Sequence, residues 1–319
     1  MTTIGIDILK AKQLLEAGEV VGVPTETVYG LAGNALNEDA VLKIFQVKNR
    51  PQFDPLIVHT DSLDKLSQIV TEIPPKAYQL AAAFWPGPLT LLLPKSSLIP
   101  DLVTSGLDTV AVRIPRHPLI LELLSILDFP LAAPSANPFG YISPTSAQHV
   151  AQQLGPLIPY ILDGGESTVG IESSIVGFEE NQPVVYRLGG TSVEAIEEVI
   201  GAVSWRSHST SNPKAPGMLK SHYAPRKPLY INDKERILRR FPTDKMGALT
   251  FTQPLPHLPL AHQRILSPSG DFAEAAKNLF AYMRQLDALP VEAIYAELLP
   301  ERDLGRALND RIRRAAASE

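Results

Sequence analysis

Within KNRPQFDPLIVH, positions 48 to 59, stand two cations, two prolines and a histidine. A helix is predicted to end at Lys48, Pro51 and Pro55 stiffen the chain after it, and LIVH reads as a short buried strand with a polar tip, His59. Cations presented on a rigid turn suit an anion. Arg50 supplies a planar fork and Lys48 a point charge, two complementary ways of meeting phosphate oxygens. Upstream, PTETVYG (24–30) sets Thr25, Glu26 and Thr27 directly after the predicted strand GEVVGVP. Other polar residues recur at predicted strand ends: Thr109 and Arg113 in TVAVRIP, Ser135 and Asn137 in APSANPFG, Ser143 ahead of a helix, Ser173 and Ser174 in ESSIV, and Arg187 in VVYRLG. Strand alternation puts Thr109, Ala111 and Arg113 on one face, so Thr109 and Arg113 are expected to share a cavity. A hollow lined by hydroxyls and guanidinium groups suits a nucleotide beside a small polar acid. Taken singly, each feature has a structural explanation as a turn, a loop cap or an arginine that satisfies a carboxylate. Their occurrence together and in order is what the structural explanation does not cover.

These side chains need a sheet to carry them. Up to residue 200 the pattern mixes short β-branched runs with helices, the latter capped by Asp7, Asn37 and Asp61. Strands are predicted in GEVVGVP, PLIVHT, LTLLLP, TVAVRIP, PLAAP, YILDGG, SSIVGF and PVVYRLG. The last two follow one another with no helix between them, which calls for a mixed sheet in an α/β domain. Residues 201–227, rich in Ser, Pro, Lys and His, read as a linker. Residues 228–319 then read as a smaller Rossmann-like or flavodoxin-like α/β domain, with strands in PLYIN, GALTF and AIYAEL and helices in DKERILRRF, DFAEAAKNLFAYMRQLDAL and LGRALNDRIRRAAA.

Composition narrows the chemistry. The 319 residues are 45% hydrophobic with a net charge of -5, enough for one or two ordinary cores, and contain no cysteine. Thiolate nucleophiles, thiolate metal sites and disulfides are therefore excluded, and a reducing, cytoplasmic location fits. No run of 18 apolar residues and no signal-peptide pattern is present, so no membrane association is expected. Residues 1–200 hold 11 Lys and Arg against 22 Asp and Glu, whereas residues 201–319 hold 18 against 12. The acidic first part is a poor nucleic-acid surface, and its few cations, Lys48, Arg50, Arg113, Arg116 and Arg187, stand out. The usual hydrolase elbow and phosphate-loop motifs are missing, and no set of residues is assigned to hold a metal directly.

The runs PTETVYGLAGNA, KNRPxxxPLIVH, RIPRHP, APSANPFGYISPT, ESSIV and APGMLKSHYAP resemble the threonylcarbamoyl-AMP synthase family in its long form, a YrdC-like catalytic domain joined to a smaller carboxy-terminal domain. The closing LGRALNDRIRRAA belongs to the same likeness. Ser174 and Gly177 stand where the family pattern leads one to expect a threonine and often an aspartate. The resemblance implies formation of L-threonylcarbamoyladenylate and pyrophosphate from L-threonine, bicarbonate or CO2, and ATP, with Mg2+ on the triphosphate. The product would pass to the transferase machinery that makes threonylcarbamoyladenosine in tRNA. It further implies a threonine pocket at Thr27, His59, Arg113, the backbone at Ala133, and Ser173. The ATP site would comprise Lys48, Arg50, Asp54, Thr109, Ser135, Asn137, Ser143 and Arg187, with Lys48 and Arg50 the catalytic phosphate contacts and His222 or Tyr223 as a lid. Two alternatives stand beside it: a carbamoyl-adenylate-forming factor, which normally carries extra acylphosphatase and zinc-finger modules, and a non-catalytic module for structured RNA.

Overall fold

The computed structural model describes residues 2–206, 215–216, 222–231 and 234–316. Much of the predicted linker, residues 207–214 and 217–221, lies outside the described residues. The first sheet is built from β1 (Thr3–Gly5), β2 (Val21–Val23), β3 (Gly30–Asn34), β4 (Ile57–His59), β5 (Leu89–Pro94), β6 (Thr109–Arg113), β7 (Leu131–Ala132), β8 (Tyr160–Leu162), β9 (Ser174–Glu179), β10 (Gln182–Arg187) and β11 (Ser204–Trp205). Their spatial order is β1-β8-β2-β3-β7-β4-β6-β5-β9-β10-β11. The sheet is mixed, as the sequence predicts: β4 runs parallel to β6, while β5 and β6, and β9 and β10, are antiparallel pairs.

Three of these strands have no counterpart in the sequence reading. β3 is spelled GLAGN, residue types depleted from strands, and it holds because it is sandwiched between β2 and β7 in the buried centre. β1 and β11 are short, exposed edges without an apolar alternation. β11 also pairs with β10, so the first residues of the predicted linker extend the large sheet. Ser62, not Asp61, caps the helix Leu63–Ile69, its hydroxyl accepting from the Lys65 amide.

Alternation along the strands separates two environments. Val58, Val110, Val112, Leu91, Leu93, Val176 and Val185 face the main core with the helices Glu38–Lys48, Pro75–Phe84 and Val193–Ile200. Ile57, Leu92, Ala111, Ile175, Val184 and Tyr186 face the other way and form an apolar floor on which Ala215 rests. That second face is open to a ligand, and it carries the site.

The second sheet, ordered β12 (Leu229–Tyr230), β15 (Ala293–Ala296), β13 (Met246–Thr250), β14 (Gln263–Ile265), is wholly parallel and small. Its helices Phe272–Ala288 and Leu304–Ala315 share one apolar cluster with Val28, Ile142 and Ile171 of the first unit. The two units are thus joined through a core, and polar clamps add to it. Arg284 donates to the carbonyls of Ile142 and Ser143, and Asp287 accepts from the Tyr141 hydroxyl at 2.6 Å. Gly170 permits the close approach: it sits at φ +79°, and a Cβ there would lie 2.5 Å from backbone atoms of Ala276 and Lys277. Gly170→Ala is therefore expected to lower the thermal midpoint, at a cost above about 1 kcal/mol from the left-handed backbone alone. An unchanged midpoint would show that the helix is not seated so closely.

Candidate functional site

Each cation at the open face is placed by a recognisable local device. The helix Glu38–Lys48 ends in a left-handed Asn49 (φ 50°), which turns the chain so that Lys48 and Arg50 diverge. Parallel pairing of β4 with β6 sets His59 directly beside Arg113. Antiparallel pairing of β9 with β10 brings the start of β9, after Glu172 and Ser173, against Arg187. Gly189 makes that contact possible, because a Cβ would fall 2.3 Å from the Ser173 carbonyl carbon.

Between these groups lies a cavity of about 60 Å3. Its lining gathers Thr27, His59, Arg113 and Ala133 with Arg50, Ser135, Ser173, Arg187, His222 and Tyr223. Arg113 engages part of its guanidinium with three neighbours and keeps further N–H donors: Nε donates to the Gly87 carbonyl, Nη1 to the Thr27 hydroxyl at 2.8 Å, and Nη2 pairs with Glu26 at 2.7 Å. Arg50 is held by Asp54 at 2.8 Å and by the Asp54 and Pro55 carbonyls. Arg187 donates to both the carbonyl and the hydroxyl of Ser173, and that hydroxyl lies 2.7 Å from the Thr90 hydroxyl. The guanidinium groups are thus held in place by the protein's own oxygens, and the carboxylates of Asp54 and Glu26 balance the charges of Arg50 and Arg113.

Several residues expected at the site are not in the cavity wall. Lys48 is buried, and its ammonium donates to the carbonyls of Ser135 and Asn137 at 2.5 and 2.6 Å, behind the wall. Burial, followed by the charge of Arg50, holds its pKa well below the ordinary lysine value. Asn137 likewise braces the loop, donating to the carbonyls of Pro138 and Tyr141. Asp54 serves Arg50. Ser143 donates to Glu172 at 2.5 Å. Thr109 does share the sheet face of Arg113, but it lies four residues back along β6, about 13 Å at the rise of a strand, and touches no part of the cavity. Face alternation gave the right side and ignored distance along the strand.

Other residues were missed. Glu172 is the one carboxylate among the described residues lining the cavity. It stood unremarked in ESSIV beside Ser173. Glu26 reads from sequence only as a strand-end residue; its pairing with Arg113 follows from the meeting of the turn after β2 with the end of β6. His222 and Tyr223, offered as a lid, do form part of the wall. The His222 ring meets Phe139 edge-on at 5.6 Å, and Tyr223 packs on Phe280 at 5.3 Å. Beyond Arg187 a second hollow of about 130 Å3 opens, lined by Trp205, Arg206, Glu301, Asp310 and Arg313 among others.

A YrdC-type mixed sheet with a small parallel α/β unit docked on it is the class that this architecture defines. Residues 13–189 match the family model described as telomere recombination, and residues 191–317 match that described as threonylcarbamoyl-AMP synthase, C-terminal domain. A threonylcarbamoyl-AMP synthase of Pyrococcus abyssi is 41% identical over 96% of this chain and 93% of its own. One of Bacillus subtilis is 39% identical over 99% and 94%. The chain also superposes on the crystal structure of P. abyssi Sua5 complexed with L-threonine, with a TM-score of 0.90 and 39% identity over 99% of this chain and 98% of that one. The chain belongs to the threonylcarbamoyl-AMP synthase family. None of the helices among the described residues is long and apolar enough to cross a membrane.

The histidine between the cations has a consequence for acid stability. Burial first, and then the charge of Arg113, push the His59 pKa down from 6.5 to about 3, so the imidazole is neutral in the folded chain. The unfolded chain takes up that proton near pH 6.5 while the folded chain waits until about pH 3, so stability falls with acidification across that window. His149, lowered to about 4 mainly by burial, acts with the same sign. His59→Gln is expected to flatten part of the slope of thermal midpoint against pH between 6.5 and 3; an unaltered slope would contradict the neutral assignment.

Proposed function

We propose that this chain condenses L-threonine, bicarbonate or CO2, and ATP into L-threonylcarbamoyladenylate and pyrophosphate. The observation that carries the reading is one cavity that gathers Arg113, Thr27 and His59 with Arg50, Arg187 and Ser135, in a chain 41% identical to a synthase of that name. The Arg113 guanidinium, held by Thr27 and Glu26, suits an amino-acid carboxylate, with the neutral His59 and the Thr27 hydroxyl as partners for a β-hydroxyl. Buried polar groups left unpaired by a valine-like competitor cost about 1 to 3 kcal/mol each, which favours threonine. Arg50, Arg187 and Ser135 suit phosphate oxygens, and Ser173, held by Arg187, stands with the threonine partners.

The chemistry asks for positioning rather than for a protein nucleophile. The threonine amine adds to CO2 to give a carbamate, one carbamate oxygen attacks the α-phosphorus, and pyrophosphate departs opposite it. Arg50 and Arg187 would offset the charge that develops on the phosphates. Lys48 would contribute indirectly, by fixing the loop that presents Ser135. Glu26, Asp54 and Glu172 each hold an arginine, and no cluster of three metal-ligating side chains occurs among the described residues. Mg2+ would ride on the triphosphate, where it would neutralise phosphate charge.

A nucleotide needs several hundred Å3, far more than the present cavity, so His222 and Tyr223 would shift to admit it and then shield a hydrolysable mixed anhydride from water. The product would be handed to a tRNA threonylcarbamoyl transferase in the cytoplasm. The test is pyrophosphate release: it should require threonine and bicarbonate together, and release from ATP alone at the same rate would defeat the reading. Arg113→Lys keeps the charge that balances Glu26 but loses the fork, so the KM for threonine should rise about tenfold or more with a smaller effect on that for ATP. Arg50→Ala should instead cut turnover about a hundredfold, read in the same assay.

A further inference from the structure

The basic helix Leu304–Ala315, which carries the LGRALNDRIRRAA motif, has no part in the chemistry above, yet it reaches the cavity wall. Arg311 on that helix is fully buried, although it belongs to the second unit. Its Nε and Nη2 both donate to Glu172 Oε2, at 3.2 and 3.1 Å, and its Nη1 donates to the Leu188 carbonyl. Glu172 in turn accepts from Ser143 through its other oxygen. The same helix grips the residues that close the cavity. The Tyr223 ring lies 5.6 Å from the Arg311 guanidinium and 4.8 Å from that of Arg314, and the His222 amide donates to the Arg314 carbonyl.

We propose that Arg311 is a positioning residue for the nucleotide: it cancels the charge of Glu172, the carboxylate in the cavity wall, so that phosphate groups can be accepted beside it. The inference rests on the adenylate-forming reading of this cavity. Glu172 adjoins Ser173, which Arg187 holds, and an uncompensated carboxylate there would repel a triphosphate at short range. Lys48 and Arg187 lie within electrostatic reach of Glu172, but its direct ion pair among the described residues is with Arg311. The carboxy-terminal unit would thus contribute to nucleotide affinity through a single buried guanidinium, without itself touching the nucleotide.

The sign of two substitutions separates this role from a merely structural salt bridge. Affinity for a non-hydrolysable ATP analogue is measured by titration calorimetry on the full chain, alongside the thermal midpoint. Arg311→Met should weaken binding about tenfold or more, whereas Glu172→Gln, which keeps an acceptor for Ser143, should leave it unchanged or tighten it. The double variant Glu172→Gln/Arg311→Met, in which neither partner of this pair is left charged alone and Asp310 keeps Arg314, should recover most of the lost affinity even though the ion pair is gone. If Glu172→Gln weakens binding as much as Arg311→Met, or the double variant binds no better than Arg311→Met, the proposal is overturned. Analogue binding that follows this pattern without threonine-dependent pyrophosphate release would overturn the reaction and leave the role of Arg311 standing.

Discussion

The structure depends on the burial of guanidinium groups around one hollow. Arg50, Arg113, Arg187 and Arg311 are each at most 9% exposed, and an unpaired charge at such depth is strongly destabilising. Three of them meet a carboxylate: Asp54, Glu26 and Glu172 in turn. Arg187 instead meets the oxygens of Ser173, and burial draws its pKa down to about 10. Ion pairs of this kind add little to stability, since desolvation offsets most of the Coulombic gain. Their value lies in holding forks rigid, in a low dielectric, where an anion will come to rest.

The fold serves that constraint. Parallel pairing of β4 and β6 puts a neutral imidazole beside a guanidinium, and antiparallel β9 and β10 deliver Ser173 to Arg187. The floor beneath is apolar, so the polar groups have one direction in which to act. The second unit is not a separate bead. It shares a core with Val28, Ile142 and Ile171, and through Arg284 and Arg311 it fixes the loop and the carboxylate on the cavity's flank.

What was legible in the sequence followed from local rules. The mixed sheet could be read because SSIVGF and PVVYRLG leave no room for a crossover helix, and the parallel second unit because its strands alternate with helices. Arg50, Arg113, Arg187, Thr27, His59, Ser135 and Ser173 were legible as strand-end polar residues and do converge on the cavity. Placement was less legible than chemistry. Lys48, Asn137 and Ser143 have the right chemistry, but whether a side chain faces a ligand or braces the loop behind it depends on long-range contacts that no local pattern encodes. Arg311 was beyond reach for the same reason, since its partner lies 139 residues away. β3 escaped because GLAGN owes its strand to its neighbours rather than to its own propensities.

The most direct measurement is a crystal structure of the chain with L-threonine and a non-hydrolysable ATP analogue. The account predicts the threonine carboxylate within hydrogen-bond distance of Arg113 and the phosphates on Arg50 and Arg187, both in the one cavity. A triphosphate lying in the hollow beyond Arg187, against Arg206 and Arg313, would contradict it.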